Sequence, residues 1–108
     1  MARPARLSRQ AAVDVAEAAR WIAHDNRSAA RRLRAAVANL AGLLGEHPRL
    51  GTARPELADE PLRFGVVRGF PYLALFDPTT NPPVILRVLH GARDLPELLR
   101  DYRDEEPI

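Results

Sequence analysis

The sequence contains no cysteine. Disulfides and thiolate metal sites are therefore excluded, and the composition suits a reducing compartment. Lysine is equally absent, so all sixteen basic residues are arginine. Codon bias accounts for that choice, but not for where the arginines sit. Guanidinium groups stay charged and grip carboxylate or phosphate with two prongs, so a clustered set carries meaning. Aromatic residues are scarce, with one Trp, two Tyr and three Phe. Much of the 46% hydrophobic content is alanine, which points to closely packed helices rather than a large aromatic core. No apolar run is long enough to span a bilayer, and Met1-Ala2-Arg3-Pro4 opens no signal-peptide core. A cytoplasmic protein without membrane attachment is expected.

What is present fits one domain over residues 1–108, a length that buries about 65% of its unfolded surface. Residues 1–7 read as a short edge strand, with Pro4 limiting its ladder bonding. Residues 8–45 read as an antiparallel helical hairpin. Ser8 offers the first N-cap, and Leu7 with Ala12 a hydrophobic staple. Ala12, Val15, Ala16, Ala19, Ile22 and Ala23 then recur at helical spacing, with Arg9, Asp14, Glu17 and Arg20 mostly on the other side. After Asp25-Asn26 a second helix begins at Asn26 or Ser28. It carries Ala30, Leu33, Ala36, Val37, Leu40, Leu43 and Leu44 on one stripe, and Gly45 supplies its stop. Arg27, Arg31, Arg32 and Arg34 crowd its first turns, each opposing the helix dipole by about 0.3–1 kcal/mol when exposed.

Residues 46–61 form an ordered loop. Within 62–90, three short runs bounded by Pro or Gly read as an antiparallel sheet: Leu62–Arg68, Tyr72–Phe76 and Val84–Leu89. The Asp77–Pro83 turn is too long and proline-rich for a two-residue hairpin. Asp94-Leu95-Pro96-Glu97 makes a good helix start, predicting a C-terminal helix over 94–103. The fold class is thus α+β.

Standard catalytic constellations are missing. His24, His47 and His90 lie far apart without metal-ligand spacing, and neither cofactor nor metal is expected. Both serines sit where helices need caps. What remains is cationic. Strand alternation places Arg87 on one face with Ile85 and Leu89, opposite Leu86 and Val88. An arginine there is either paired to a carboxylate on a helix or on the long loop, or faces a partner. The second option lines up Arg63, Arg68, Arg87, His90 and Arg93 along one side. His90 is the member able to titrate near neutrality.

Four features in order carry a resemblance. Arg6-Leu7-Ser8 leads into a helix, and Glu46-His47-Pro48-Arg49-Leu50-Gly51 follows the second one. Phe70-Pro71-Tyr72 opens a strand, and Val84-Ile85-Leu86-Arg87-Val88-Leu89-His90-Gly91-Ala92-Arg93-Asp94 closes the sheet. Together they resemble the ParE branch of the RelE/ParE toxin superfamily. The resemblance implies a helical hairpin on a small antiparallel sheet and the toxin half of a bacterial type II toxin–antitoxin pair. It implies DNA gyrase as target and a ParD-like antitoxin as partner in a hetero-oligomer. Candidate target contacts are Arg63, Arg68, Tyr72, Arg87, His90 and Arg93; candidate antitoxin contacts are Trp21, Arg31 and Arg34. A RelE-like nuclease, cutting mRNA at the ribosome through Arg68, His90 and Arg93, is the alternative. Against it, Pro71 stands where such nucleases often carry arginine after the Gly-aromatic pair. A non-toxic relative that still binds antitoxin is a third reading.

Overall fold

The protein is described by a computed structural model for residues 2–95 and 100–102. Arg6–Leu7 (β1) leads through Ser8 into the helix Arg9–Ala23 (α1), and Asn26 caps the helix Arg27–Glu46 (α2). The strands Arg63–Val67 (β2), Tyr72–Asp77 (β3) and Val84–His90 (β4) follow. They form one sheet in the order β1-β4-β3-β2.

The sheet is mixed, not purely antiparallel. β2, β3 and β4 pair antiparallel, whereas β1 runs parallel to β4. Two antiparallel helices lie between β1 and β2, so the chain leaves and re-enters the sheet with the same polarity. β1 is only two residues long, because its chain turns into α1 at once.

Side-chain chemistry sets both caps. Ser8 accepts a hydrogen bond from the Ala11 amide and Asn26 from the Ala29 amide, at 3.1 and 2.9 Å, satisfying donors that a helix start leaves orphaned. Asn26, not Ser28, is the second cap; the Ser28 hydroxyl instead accepts from Arg32. The buried stripe of α1 is Ala11, Val15, Ala18 and Ala19. This is turned from the expected set, with Ala12 and Leu7 exposed rather than stapled. Alanine-rich helices carry a weak periodic signal, which leaves the packed face to the sheet. α2 buries Ala30, Leu33, Val37, Leu40, Ala41 and Leu44, while Leu43 is half exposed.

Gly45 does not stop α2. It lies inside the helix, where a Cβ would collide with the Arg3 carbonyl and the Pro4 Cα. The glycine admits the N-terminal segment, whose Ala5 amide donates to the Ala41 carbonyl at 2.8 Å.

Both faces of the sheet are apolar. Val67, Ala74, Phe76, Ile85 and Val88 meet the helices. Phe64, Leu75 and Leu89 meet Leu57 and Ala58 of the 46–61 loop, together with Leu95 and, at the margin, Tyr102. That loop is ordered as expected, and Thr52 pairs with Phe64. In β4 the register steps from Leu75↔Arg87 to Phe76↔Ile85, leaving Leu86 as an unpaired bulge residue. The bulge breaks alternation: Ile85 turns to the helices with Val88, and Leu86 to the other face with Leu89. Arg87 therefore does not share a face with Ile85, because one extra residue inverts the period-two pattern. Of the C-terminal helix expected over 94–103, residues 96–99 and 103 lie outside the described residues. Arg100–Tyr102 forms one 3-10 turn.

Candidate functional site

The best-formed polar arrangement joins α1 to β4. Arg87 Nε and Nη2 donate to the two carboxylate oxygens of Asp14, at 2.8 and 3.0 Å. The Val88 amide donates to Asp14 as well, at 2.9 Å. Side-chain exposure is 14% for Arg87 and 7% for Asp14, so the pair is largely withdrawn from water. Hydrogen bonding to Asp14 raises the Arg87 pKa above its ordinary value against the opposing pull of burial, with a small contribution from Tyr102. Arg87 is thus the paired arginine of the two alternatives. Its guanidinium is committed to a fork-on-carboxylate contact, which carries both strength and geometry.

Periodicity had put Asp14 on the polar side of α1. It lies on the flank facing β4, in line with Ala18 and Trp21 one and two turns later. The spacing Asp14, Ala18, Trp21 (i, i+4, i+7) was the available signal, hidden because none of the three extends the alanine stripe.

That flank and β4 enclose a groove of about 340 Å³, whose margin includes Glu17, Trp21, Tyr72, His90, Arg93 and Asp94. Its floor is rigid. The Tyr72 and His90 rings meet edge-on, with centroids 5.5 Å apart. His90 Nδ1 accepts from the Ala92 amide at 3.2 Å. The Gly91 amide donates to the Pro71 carbonyl at 2.8 Å, tying the turn that bears Arg93 to the start of β3. Trp21, 69% exposed, forms the outer wall. An indole, an arginine and an imidazole stand beside Glu17 and Asp94, groups able to stack and to hydrogen-bond. Tryptophan and arginine are the side chains that most often anchor interfaces.

The other candidates lie elsewhere. Arg63 donates to the Leu50 and Gly51 carbonyls at 3.3 and 2.6 Å, fastening the 46–61 loop. Arg68 borders a separate trough between α2 and β2. These two bracket β2, two strands away from β4, so the five cations expected along one side do not form a single row. The trio Arg68, His90 and Arg93 is likewise divided between two grooves. Arg31 and Arg34 are exposed on α2. Among the described residues no group of three His, Asp or Glu side chains could hold a metal ion, and no helix is long and apolar enough to cross a membrane.

An α-hairpin on a small mixed sheet is the fold that the resemblance implied, and comparison with family models agrees. Residues 5–95 match the family described as ParE toxin of type II toxin-antitoxin system, parDE, and the chain belongs to that family. Membership implies an antitoxin partner. No curated protein matches the chain.

Proposed function

We propose that this ParE-family toxin acts in the cytoplasm by binding and inhibiting DNA gyrase, and that a ParD-like antitoxin neutralises it in a hetero-oligomer. The observation that carries this reading is the family match over residues 5–95. The groove beside α1 supports a binding mechanism. Its arginine of greatest burial, Arg87, is already engaged by Asp14, while Trp21 and Arg93 remain exposed for a partner. In this reading Trp21, His90 and Arg93 form the target face, and Asp14 and Arg87, with the buried Tyr72, hold its floor in place. The separation of Arg68 from His90 and Arg93 weighs against the nuclease alternative, because acid–base work on RNA needs its groups within reach of one phosphate.

The test is a gyrase supercoiling assay with purified toxin, run beside a ribosomal mRNA-cleavage assay. Inhibition of supercoiling that is lost in Trp21→Ala and Arg93→Ala is expected. Growth arrest with supercoiling intact and mRNA cut would overturn the gyrase reading. No arrest in a sensitive host would leave a non-toxic antitoxin binder.

A further inference from the structure

The tip of the helical hairpin carries charge that the rest of the protein does not answer. Arg27, Arg31 and Arg34 follow at i, i+4 and i+7 along one flank of α2. Arg20 stands in the last turn of α1, across the joining residues His24, Asp25 and Asn26. All four arginines are exposed. Among the described residues none of them makes an ion pair, and the nearby carboxylates of Glu17 and Asp25 make none either. Their neighbour Arg32, on the other flank, donates to the Ser28 hydroxyl. Arg27 opposes the helix dipole, and like charges at i, i+3 and i, i+4 repel one another. The fold bears that arrangement without relieving it.

The flank that holds these arginines runs on through the exposed Ala38 to Gly45, where the backbone of Arg3 lies against the helix. Cations therefore mark both ends of a line about 27 Å long. On α1 the row back from Arg20 is Ala16 and Val13, the latter 41% exposed. Trp21 belongs to the other side of α1, in the groove beside β4. This outer face thus has guanidinium groups set among small side chains, without an aromatic anchor or a pocket to receive one. Protein partners are usually gripped through such anchors. A phosphate backbone needs only fixed positive charge at suitable intervals.

We propose that the outer face of the hairpin binds the backbone of duplex DNA, with Arg20, Arg27, Arg31 and Arg34 each on a phosphate and no base read. Arg27 to Arg34 spans about 10 Å of helix axis, and one DNA strand presents a phosphate about every 3.4 Å along the duplex axis. Three arginines therefore meet about three phosphates. The choice of DNA among polyanions rests on the reading of gyrase as target, because gyrase works on duplex DNA. The toxin then touches the enzyme with one flank of α1 and the DNA with the other.

The experiment is fluorescence anisotropy of a labelled duplex of about 20 base pairs, titrated with purified toxin between about 50 and 200 mM salt. Four phosphate contacts predict that log K falls against log salt with a slope of about −3.6. The combined variant Arg27→Gln, Arg31→Gln, Arg34→Gln is expected to reduce the slope to about −0.9 and to weaken binding about thirtyfold or more at the lowest salt. Its thermal melt should stay at or above that of wild type, since the charges removed repel. The matching triple Lys variant should keep the slope, because the charges remain. The proposal is overturned if wild-type toxin leaves the duplex free at about 50 mM salt, or if the Gln variant binds with an unchanged slope. Displacement of the duplex by polyglutamate at equal charge concentration would overturn it too, and would give the face to an acidic protein. Tighter binding of single-stranded RNA, lost in the same Gln variant, would give it to RNA. If duplex binding follows the arginines while supercoiling is not inhibited, the DNA face stands and the gyrase reading falls.

Discussion

The two edges of the sheet are treated in opposite ways. Along β4 the Arg6 amide donates to the Pro83 carbonyl, the Ser8 amide to the Ile85 carbonyl and the Ser8 hydroxyl to the Leu86 carbonyl, each at 2.9 Å. One turn and a half further on, the Asp14 carboxylate takes the Val88 amide. A two-residue strand, a helix cap and a helix carboxylate thus stand in for a full edge strand. Along β2, Thr52 closes the ladder at Phe64 alone among the described residues. The lesson is that the β4 edge joins α1 to the sheet, whereas the β2 edge is bridged at Phe64 and, among the described residues, carries no further strand.

The largest effect that would break this comparison is at Asp14. Asp14→Ala leaves Arg87 as a poorly solvated charge and the Val88 amide without an acceptor, and should cost about 3 kcal/mol. The melting temperature followed by circular dichroism should fall by about 10 °C or more. A loss below 1 kcal/mol would show that α1 does not depend on this clamp. The raised Arg87 pKa adds stability that is fully present below the ordinary arginine value and fades only as pH rises through the folded value. The arginine side of the clamp should therefore give no stability change between about pH 6 and 9.

Gly45→Ala comes next. Its Cβ would meet backbone, which cannot swing aside, so the segment feeding β1 must shift, at a cost of about 2 kcal/mol in urea unfolding. Removing the Ser8 hydroxyl should cost about 1 kcal/mol by the same measurement, since Ser8→Ala loses a cap and the Leu86 contact together. At the open edge, Val66→Thr should change stability by less than about 0.5 kcal/mol, as for other exposed positions. Amide exchange sharpens the contrast without mutation: Val88 should be slow and Val66 fast in the free protein.

Much of the architecture was legible from residue order. The hairpin, the 46–61 loop and the three antiparallel strands follow from caps, proline and glycine punctuation, and short apolar runs. The site was less so. His90 and Arg93 stand out in the sequence because they cluster at a strand end, and the structure sets them in one groove with Trp21 and Tyr72. Arg63 and Arg68 are as cationic as their neighbours on β4, but sequence spacing cannot say which edge of a sheet a strand occupies. Asp14 was placed with solvent because α1 is so rich in alanine that several faces look equally apolar. Val66 gave no signal, since a strand residue reads the same whether its amide points to a neighbour or to water.

By itself, then, the sequence determined the elements and their class, because caps, turns and periodicity are local and their energies are set within a few residues. Only the tertiary structure decided three other things: the parallel β1, the bulge at Leu86 that parts Arg87 from Ile85, and the unequal closure of the two edges. Each depends on which groups find partners well beyond their own element: Ser8 on Leu86, Asp14 on Arg87 and Thr52 on Phe64. Such long-range hydrogen bonds leave no periodic trace in the chain that makes them.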